Sequence, residues 1–404
     1  MTSPQPLLPE EDLSWLRQLQ KNSWEPEVII SGITLAIIFA FPAELYGFAI
    51  MLVQDYAIEF TGAWVVLLYL SLVINLFKIF FSVHLILRFA WAGLLGLSYA
   101  FPDGVINANL FKFGQDTLYK KPHQLVLKLE RICSMTFGIP LMFGMIMVIF
   151  TIYLGILLFV YHIFNLPFYL IYIFFLISIF GFSIFNFVGK KSAFKSWISN
   201  SFYSNIQAIY QSNLGKWPVT VYTVCILLMS MPFVAIDTKG FFEYLNATEE
   251  GSGEWVNSIH YFENQRDPER RFPRTSIPSD LVEGNYLPLS IAYYLEDRKR
   301  LPQLQQLYAI SKDTLQWSDI REETDQFRIF VNDSLIQISP QNWRKVQLGT
   351  SGQKAFQCLL DLQQLPPGIH HVRVEKLVAV DFFGYTQTKI RHRKNWARFS
   401  FMKT

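Results

Sequence analysis

Six ionisable side chains sit in or beside long apolar stretches of this 404-residue chain: Glu44, Lys78, His84, Arg88, Glu130 and Arg131. Charge is costly in hydrocarbon, so each is a candidate for function by default. Helical depth separates them. At 1.5 Å per residue, Lys78 lies about 24 Å into the run that starts at Gly62, Arg88 about 39 Å, and Glu130 about 45 Å back from Val160. Lys78 can snorkel to headgroups. Arg88 and Glu130 fall at similar height beyond the hydrocarbon, on neighbouring helices. That predicts an Arg88–Glu130 ion pair, with His84 one turn from Arg88. Such a set is a staple between helices or, in a functional reading, an ion relay. His84 is also a base for an intramembrane lipid-modifying enzyme, although no matching nucleophile or metal set accompanies it.

Glu44 is a different case. It lies about 24 Å from Val28 at helical rise, where no Lys or Arg of another helix is expected. Pro42 lacks an amide hydrogen and leaves the carbonyl of Ile38 without its helical donor. A kink beside a lone carboxyl suits a proton- or cation-coupled transporter or channel. A helix near its exit from the bilayer, with Glu44 wetted by water, contains the same residues. Ala92, Gly93 and Gly96 form a small-residue patch that suits close helix packing, within the chain or between copies in a homo-oligomer.

Enzymatic signatures are not found. Gly189-Lys190-Lys191-Ser192 is half of a phosphate loop, but Ile184 stands where the upstream glycine belongs. There is no Gly-x-Ser-x-Gly elbow and no His-Glu-x-x-His pair. His370 and His371 are adjacent in a predicted strand, so their side chains face opposite ways and cannot chelate one ion. No metal or cofactor site is expected. Cys358 is the one cysteine of the C-terminal half, which rules out an internal disulfide there.

These groups need long apolar elements to hold them. Charged residues make up 17% of the chain, against roughly 25% in ordinary soluble domains. About 20 apolar residues cross a bilayer as a helix. Five such spans are expected, at about 28–53, 62–98, 125–160, 168–188 and 217–236, because backbone in lipid must satisfy its own hydrogen bonds. The stretch from Ile132 to Gly189 contains no charged residue, and His162, Asn165 and Pro167 divide it. Spans two and three exceed the bilayer and predict an antiparallel hairpin projecting on the cytoplasmic side, tipped by Phe101-Pro102-Asp103-Gly104.

Loop charge sets the orientation. Residues 54–61 and 161–167 have no Lys or Arg, whereas the alternate connections hold Lys112, Lys120, Lys121, Lys128, Lys190, Lys191, Lys195 and Lys216. Positive loops stay in the cytoplasm. The N-terminus is therefore expected inside and the C-terminal domain outside, as in a bacterial inner-membrane protein with a periplasmic domain. Residues 1–23 read as a cytoplasmic or interfacial helix. Residues 193–214 read as an amphipathic helix, lying on the inner surface or packing against the hairpin.

An acidic, Gly-containing segment over 237–270 reads as a linker. Residues 271–404 then alternate in short strands: Leu287 to Tyr294, Phe327 to Val331, Leu335 to Ile338, Phe356 to Leu362, Ile369 to Val374, Lys376 to Val380 and Ala397 to Phe401. That predicts an all-β, sandwich-like soluble domain. The basic run Lys389, Arg391, His392, Arg393, Lys394 and Arg398 is a solvated face by default, with anionic headgroups or a partner protein as the alternatives. The net charge of +3 implies no nucleic-acid attraction. Besides the lipid bilayer, the expected partners are other membrane or envelope proteins. The whole reads as a non-catalytic subunit or accessory factor of a cell-envelope complex. The transporter built on Glu44 and the lipid-modifying enzyme are the alternatives.

Overall fold

The structure, a computed structural model, describes residues 24–40, 42–104, 121–164, 166, 168–188, 202–246, 260–315, 317, 319–380 and 388–404. The expected helix over 1–23, Lys112, Lys120, Lys190, Lys191 and Lys195, and the segment Gly251-Ser252-Gly253 lie outside the described residues. Contacts divide the chain into two compact units. One is drawn from Met1–Pro42, Leu72–Leu154 and Gly189–Phe233, the other from Ala43–Ser71, Gly155–Val188 and Val234–Thr404.

The N-terminal part is helical: α1 (Trp24–Ala40), α2 (Pro42–Tyr56), α3 (Phe60–Ala100), α4 (Pro122–Phe164), α5 (Phe168–Val188), α6 (Phe202–Leu214) and α7 (Lys216–Asn246). Three of these, α3, α4 and α7, are long and apolar enough to cross a membrane. The broken pair α1 and α2 makes a fourth if it counts as one span. Among the described residues the protein therefore has a helical part with three, or at most four, candidate apolar spans, followed by a β-rich domain. Helices α3 and α4 have 41 and 43 residues. At 1.5 Å each they run about 60–65 Å, twice the hydrocarbon thickness.

Two helix boundaries differ from expectation. The apolar run 28–53 is not one helix. It divides at Pro42, which starts α2 where a missing amide hydrogen costs nothing. Helix α7 continues to Asn246, ten residues past the charge-free run, so the expected linker does not begin at 237. Its extension carries Phe241 and Tyr244, which bury against Ala49, Ile50 and Leu67. The extension is also tied by polar bonds. Ser71 donates to Asp237 Oδ2 at 2.5 Å, and the Tyr46 hydroxyl donates to the Asp237 carbonyl at 3.0 Å.

In the other unit, Leu76 and Phe80 of α3 pack with Ile139 of α4 and Ile226 of α7. The described part of the amphipathic segment, α6, joins this cluster through Tyr210. The Tyr210 hydroxyl donates to the carbonyl of Met135 at 2.5 Å. A side chain at Gly138 would collide with that hydroxyl.

The C-terminal domain contains two sheets. Strands β1 (Thr275–Ser276), β3 (Tyr286–Ala292), β7 (Gln353–Asp361) and β6 (Arg344–Leu348) form one in the order β1-β3-β7-β6. Strands β2 (Leu281–Val282), β9 (Lys389–Lys403), β8 (Gly368–Val380), β4 (Phe327–Val331) and β5 (Ser334–Ile336) form the other in the order β2-β9-β8-β4-β5. Leu287, Leu289 and Ile291 of β3 meet Val372 and Val374 of β8 and Phe399 and Phe401 of β9 in one core. Period-two burial thus holds two apolar faces together. Tyr261 and Phe262 belong to this core, so the domain reaches further toward the N-terminus than 271.

The domain is not all-β. Helix α8 (Leu295–Leu315) follows β3. Its Leu304 and Tyr308 bury against Leu377 and Ala379 of β8. Those two residues have the opposite parity to Val372 and Val374, so β8 serves the inter-sheet core with one face and α8 with the other. The stretches expected as two strands, Ile369 to Val374 and Lys376 to Val380, are one strand with a register irregularity between Val374 and Lys376.

Candidate functional site

Helices α1, α3 and α4 bring charged residues together within one unit. Arg88 of α3 is 3% exposed and His84, one turn earlier, is fully buried. Arg88 Nη1 donates to both carboxylate oxygens of Glu130 at 3.1 and 3.0 Å. Its Nη2 donates to Glu27 Oε2 on α1. The guanidinium therefore bridges two carboxylates from two helices, an arrangement its planar fork suits.

His84 adds a third side to the cluster. Its Nδ1 lies 2.9 Å from the Ser31 hydroxyl, and its Nε2 lies 3.6 Å from Glu27 Oε2. Ser31 in turn donates to the carbonyl of Glu27 at 2.7 Å. The Phe137 ring packs 5.1 Å from the imidazole. A hydroxyl, an imidazole and a carboxylate in sequence are the parts of a nucleophile, a base and an orienting acid. Here Ser31 and His84 are both completely buried, and the hydroxyl proton is held by a backbone carbonyl. The set joins three helices.

The expected Arg88–Glu130 pair is present. Glu27 and Ser31 were missed, although their i, i+4 spacing puts both on the face of α1 that meets His84. The other candidates are dispersed. Lys78 sits over the Phe39 ring at 5.4 Å, and Arg131 is exposed. Glu44 is exposed and stands in the first turn of α2, where a carboxylate complements the positive end of the helix dipole. No described residue comes within 4 Å of where side chains at Gly93 and Gly96 would begin. The Ala92, Gly93 and Gly96 patch therefore packs on no described helix.

A second concentration of charge lies within the other unit. A cavity of about 470 Å³ opens where the ends of α2 and α3 meet the β-rich domain. Strand β8 supplies Lys376 and β9 supplies Arg391 and Arg393. Lys376 Nζ donates to Asp297 Oδ2 at 2.5 Å. The same ammonium lies 4.9 Å from the centres of the Tyr294 and Trp396 rings. Burial lowers the Lys376 pKa despite Asp297, and Arg393 and Arg274 push the same way. Arg300 is paired with Glu296 at 2.7 Å. Ile50, Val53 and Phe60 make the opposite wall apolar.

Sequence reasoning left this set unassembled because it treated the basic run on β9 as one face. The strand period splits it. Arg391 and Arg393 enter the cavity, whereas His392 turns away and meets Glu375 Oε2 at 2.9 Å. Two arginines spaced by two carry that signal once the run is a strand, as it is in β9. His370 and His371 are likewise held apart, His370 by Asn332 and the Pro366 carbonyl, His371 by Ser400.

The β-rich domain is joined to the end of α2 by polar contacts in the same unit. Arg271 Nη2 lies 2.7 Å from Asp55 Oδ2. Gln54 donates to the Phe272 carbonyl at 3.3 Å and accepts from Gln353 at 3.3 Å. Gln353 itself bonds both the amide and the carbonyl of Phe272. Compared with known proteins, the chain matches no family model, no curated sequence and no solved structure.

Proposed function

We propose that the protein is a non-catalytic integral membrane protein that acts as a subunit or accessory factor of a cell-envelope complex. In this reading it crosses the inner membrane five times. Its N-terminus and the far ends of α3 and α4 lie in the cytoplasm, and the β-rich domain stands on the periplasmic side. The observation that carries the reading is the lattice of buried Gln54, Arg271 and Gln353 with half-buried Asp55. It fastens the β-rich domain to the end of a membrane helix rather than leaving it on a tether, which suits a platform that presents a surface. Two features support the same view. Arg88 is shared between Glu27 and Glu130, which is how a staple is built, and Glu44 does the ordinary work of an acidic residue at a helix start.

The test is purification of the full-length chain from its native membrane in a mild detergent. A stoichiometric companion protein is expected, and its recovery should fall when Arg271→Ala breaks the link to Asp55. A lone protein that drives ion or solute flux, or turns over lipid, in reconstituted vesicles would overturn the proposal.

A further inference from the structure

The cavity beside β8 and β9 is a charge imbalance with an apolar wall. Among the described residues, five cations line it: Arg274, Arg300, Lys376, Arg391 and Arg393. Three carboxylates oppose them: Glu59, Glu296 and Asp297. The surplus is 5 − 3 = +2, and it is localised. Glu296 is taken by Arg300 and Asp297 by Lys376. Among the described residues, Arg391 and Arg393 have no ion pair, and the buried Nε of Arg393 has no hydrogen-bond partner. A buried donor left without an acceptor is costly, and an arginine fork is shaped for a phosphate or carboxylate.

The position of the cavity narrows the ligand. Phe60 follows Glu59 and is the first residue of α3, a helix long and apolar enough to cross a membrane. With α3 as a span, the apolar side of the cavity at Val53 and Phe60 falls at the boundary between headgroups and hydrocarbon. A small soluble anion would use the arginines and leave that wall wet. An anionic amphiphile uses both.

We propose that this cavity binds the phosphate headgroup of an anionic phospholipid, with Arg391 and Arg393 as its counter-ions and Val53 and Phe60 against the start of its acyl chains. The site goes beyond the accessory-factor reading and does not depend on it. Lys376, clasped by Asp297 and its aromatic neighbours, is already neutralised and closes one side of the cavity. The arginines do the discriminating.

The experiment is native mass spectrometry of the full-length, delipidated protein in detergent. It is titrated with dioleoyl phosphatidylglycerol, dioleoyl phosphatidylcholine or inorganic phosphate. Wild-type protein should hold phosphatidylglycerol about tenfold or more tighter than phosphatidylcholine, since each basic group near an anionic headgroup adds appreciably to binding. The Arg391→Gln, Arg393→Gln double variant should lose that preference. Arg391 is exposed, so the fold should tolerate the change, and an unchanged melting temperature verifies this. A Lys389→Gln, Arg398→Gln control removes the same charge from the same strand outside the cavity and should keep the preference. Equal binding of the two lipids, or equal loss in both double variants, overturns the site. Capture of inorganic phosphate with no preference between the lipids assigns the arginines to a soluble anion and overturns the lipid.

Discussion

At the residue scale, Arg88 holds the most. It is a nearly dry cation shared by two carboxylates, and removing it strands both. Breaking a buried ion pair from one side typically costs about 3 kcal/mol or more, whereas replacing the whole set by neutral groups of similar size is often close to neutral. Arg88→Ala should therefore lower the melting temperature strongly in detergent. A triple change of Glu27→Gln, Arg88→Met and Glu130→Gln should recover most of the loss. A triple variant as unstable as Arg88→Ala would mean that the charges themselves, and not their mutual neutralisation, hold α1, α3 and α4 together. His260 makes a second residue-scale case, outside the spans. It is 5% exposed and packs edge-on to Tyr244 at 4.7 Å. Burial, then Arg270 and Arg266, lower its pKa from 6.5 to about 4. The unfolded chain thus takes up a proton near pH 6.5 that the folded chain refuses until about 4. Stability from this residue is complete above pH 6.5 and falls toward pH 4, by about 1.4 kcal/mol per unit between them. Denaturation of the β-rich domain between pH 8 and pH 5 should show that slope, and His260→Phe, which keeps the ring, should flatten it.

At the scale of elements, legibility followed periodicity. Strand β4 lies at Phe327–Val331 as the alternation implied, because both of its faces are decided by local pattern. Asn332 and Asp333 take positive φ of 47° and 63°, which their short polar side chains tolerate in the turn to β5. Helices α3 and α5 coincide with their apolar runs to within about two residues. What stayed hidden is what tertiary context decides. Helix α8 opens with Glu296, Asp297, Arg298, Lys299 and Arg300, and its core side consists of little more than Leu301, Leu304 and Tyr308. So thin a stripe becomes persuasive once Leu377 and Ala379 of β8 need a cover. The extension of α7 is similar. Asp237, Lys239 and Glu243 read as the end of a span, but Phe241 and Tyr244 keep helical spacing beneath them and bury against α2 and α3. The site followed the same rule. Arg88 and Glu130 were found from depth along two long helices. Glu27 was not, because α1 has to be packed against α3 before its carboxylate counts as a partner.

At the scale of the whole molecule, the number of crossings decides which face of the bilayer the β-rich domain occupies. The unit that contains this domain also gathers helix ends. Gln54 and Asp55 close α2, Phe60 opens α3, and Asp237 lies in the last part of α7. The end of α4 joins them through Tyr161, which donates to the carbonyl of Ala57 at 3.3 Å. Helices α4 and α7 thus both finish on the side of the β-rich domain. The proposed topology has the chain cross back between them. Helix α5, 21 residues and about 32 Å long at helical rise, is the element available for that return. In the proposed topology of five crossings the N-terminus and the C-terminus lie on opposite faces of the bilayer, the arrangement that the lysines of the alternate loops favour. Membrane-impermeant maleimide can test this without removing the native cysteines. Cys133 and Cys358 are buried, burial pushes the Cys358 thiol up to about 12, and the exposed Cys225 lies within the apolar part of α7, where the proposed bilayer shields it from an impermeant reagent. Ser3→Cys and Asp103→Cys should react in inverted vesicles and stay protected in intact cells or spheroplasts, and Thr404→Cys should do the reverse. Reaction of Asp103→Cys and Thr404→Cys from the same face would leave α5 on one side of the bilayer and reduce the count to four.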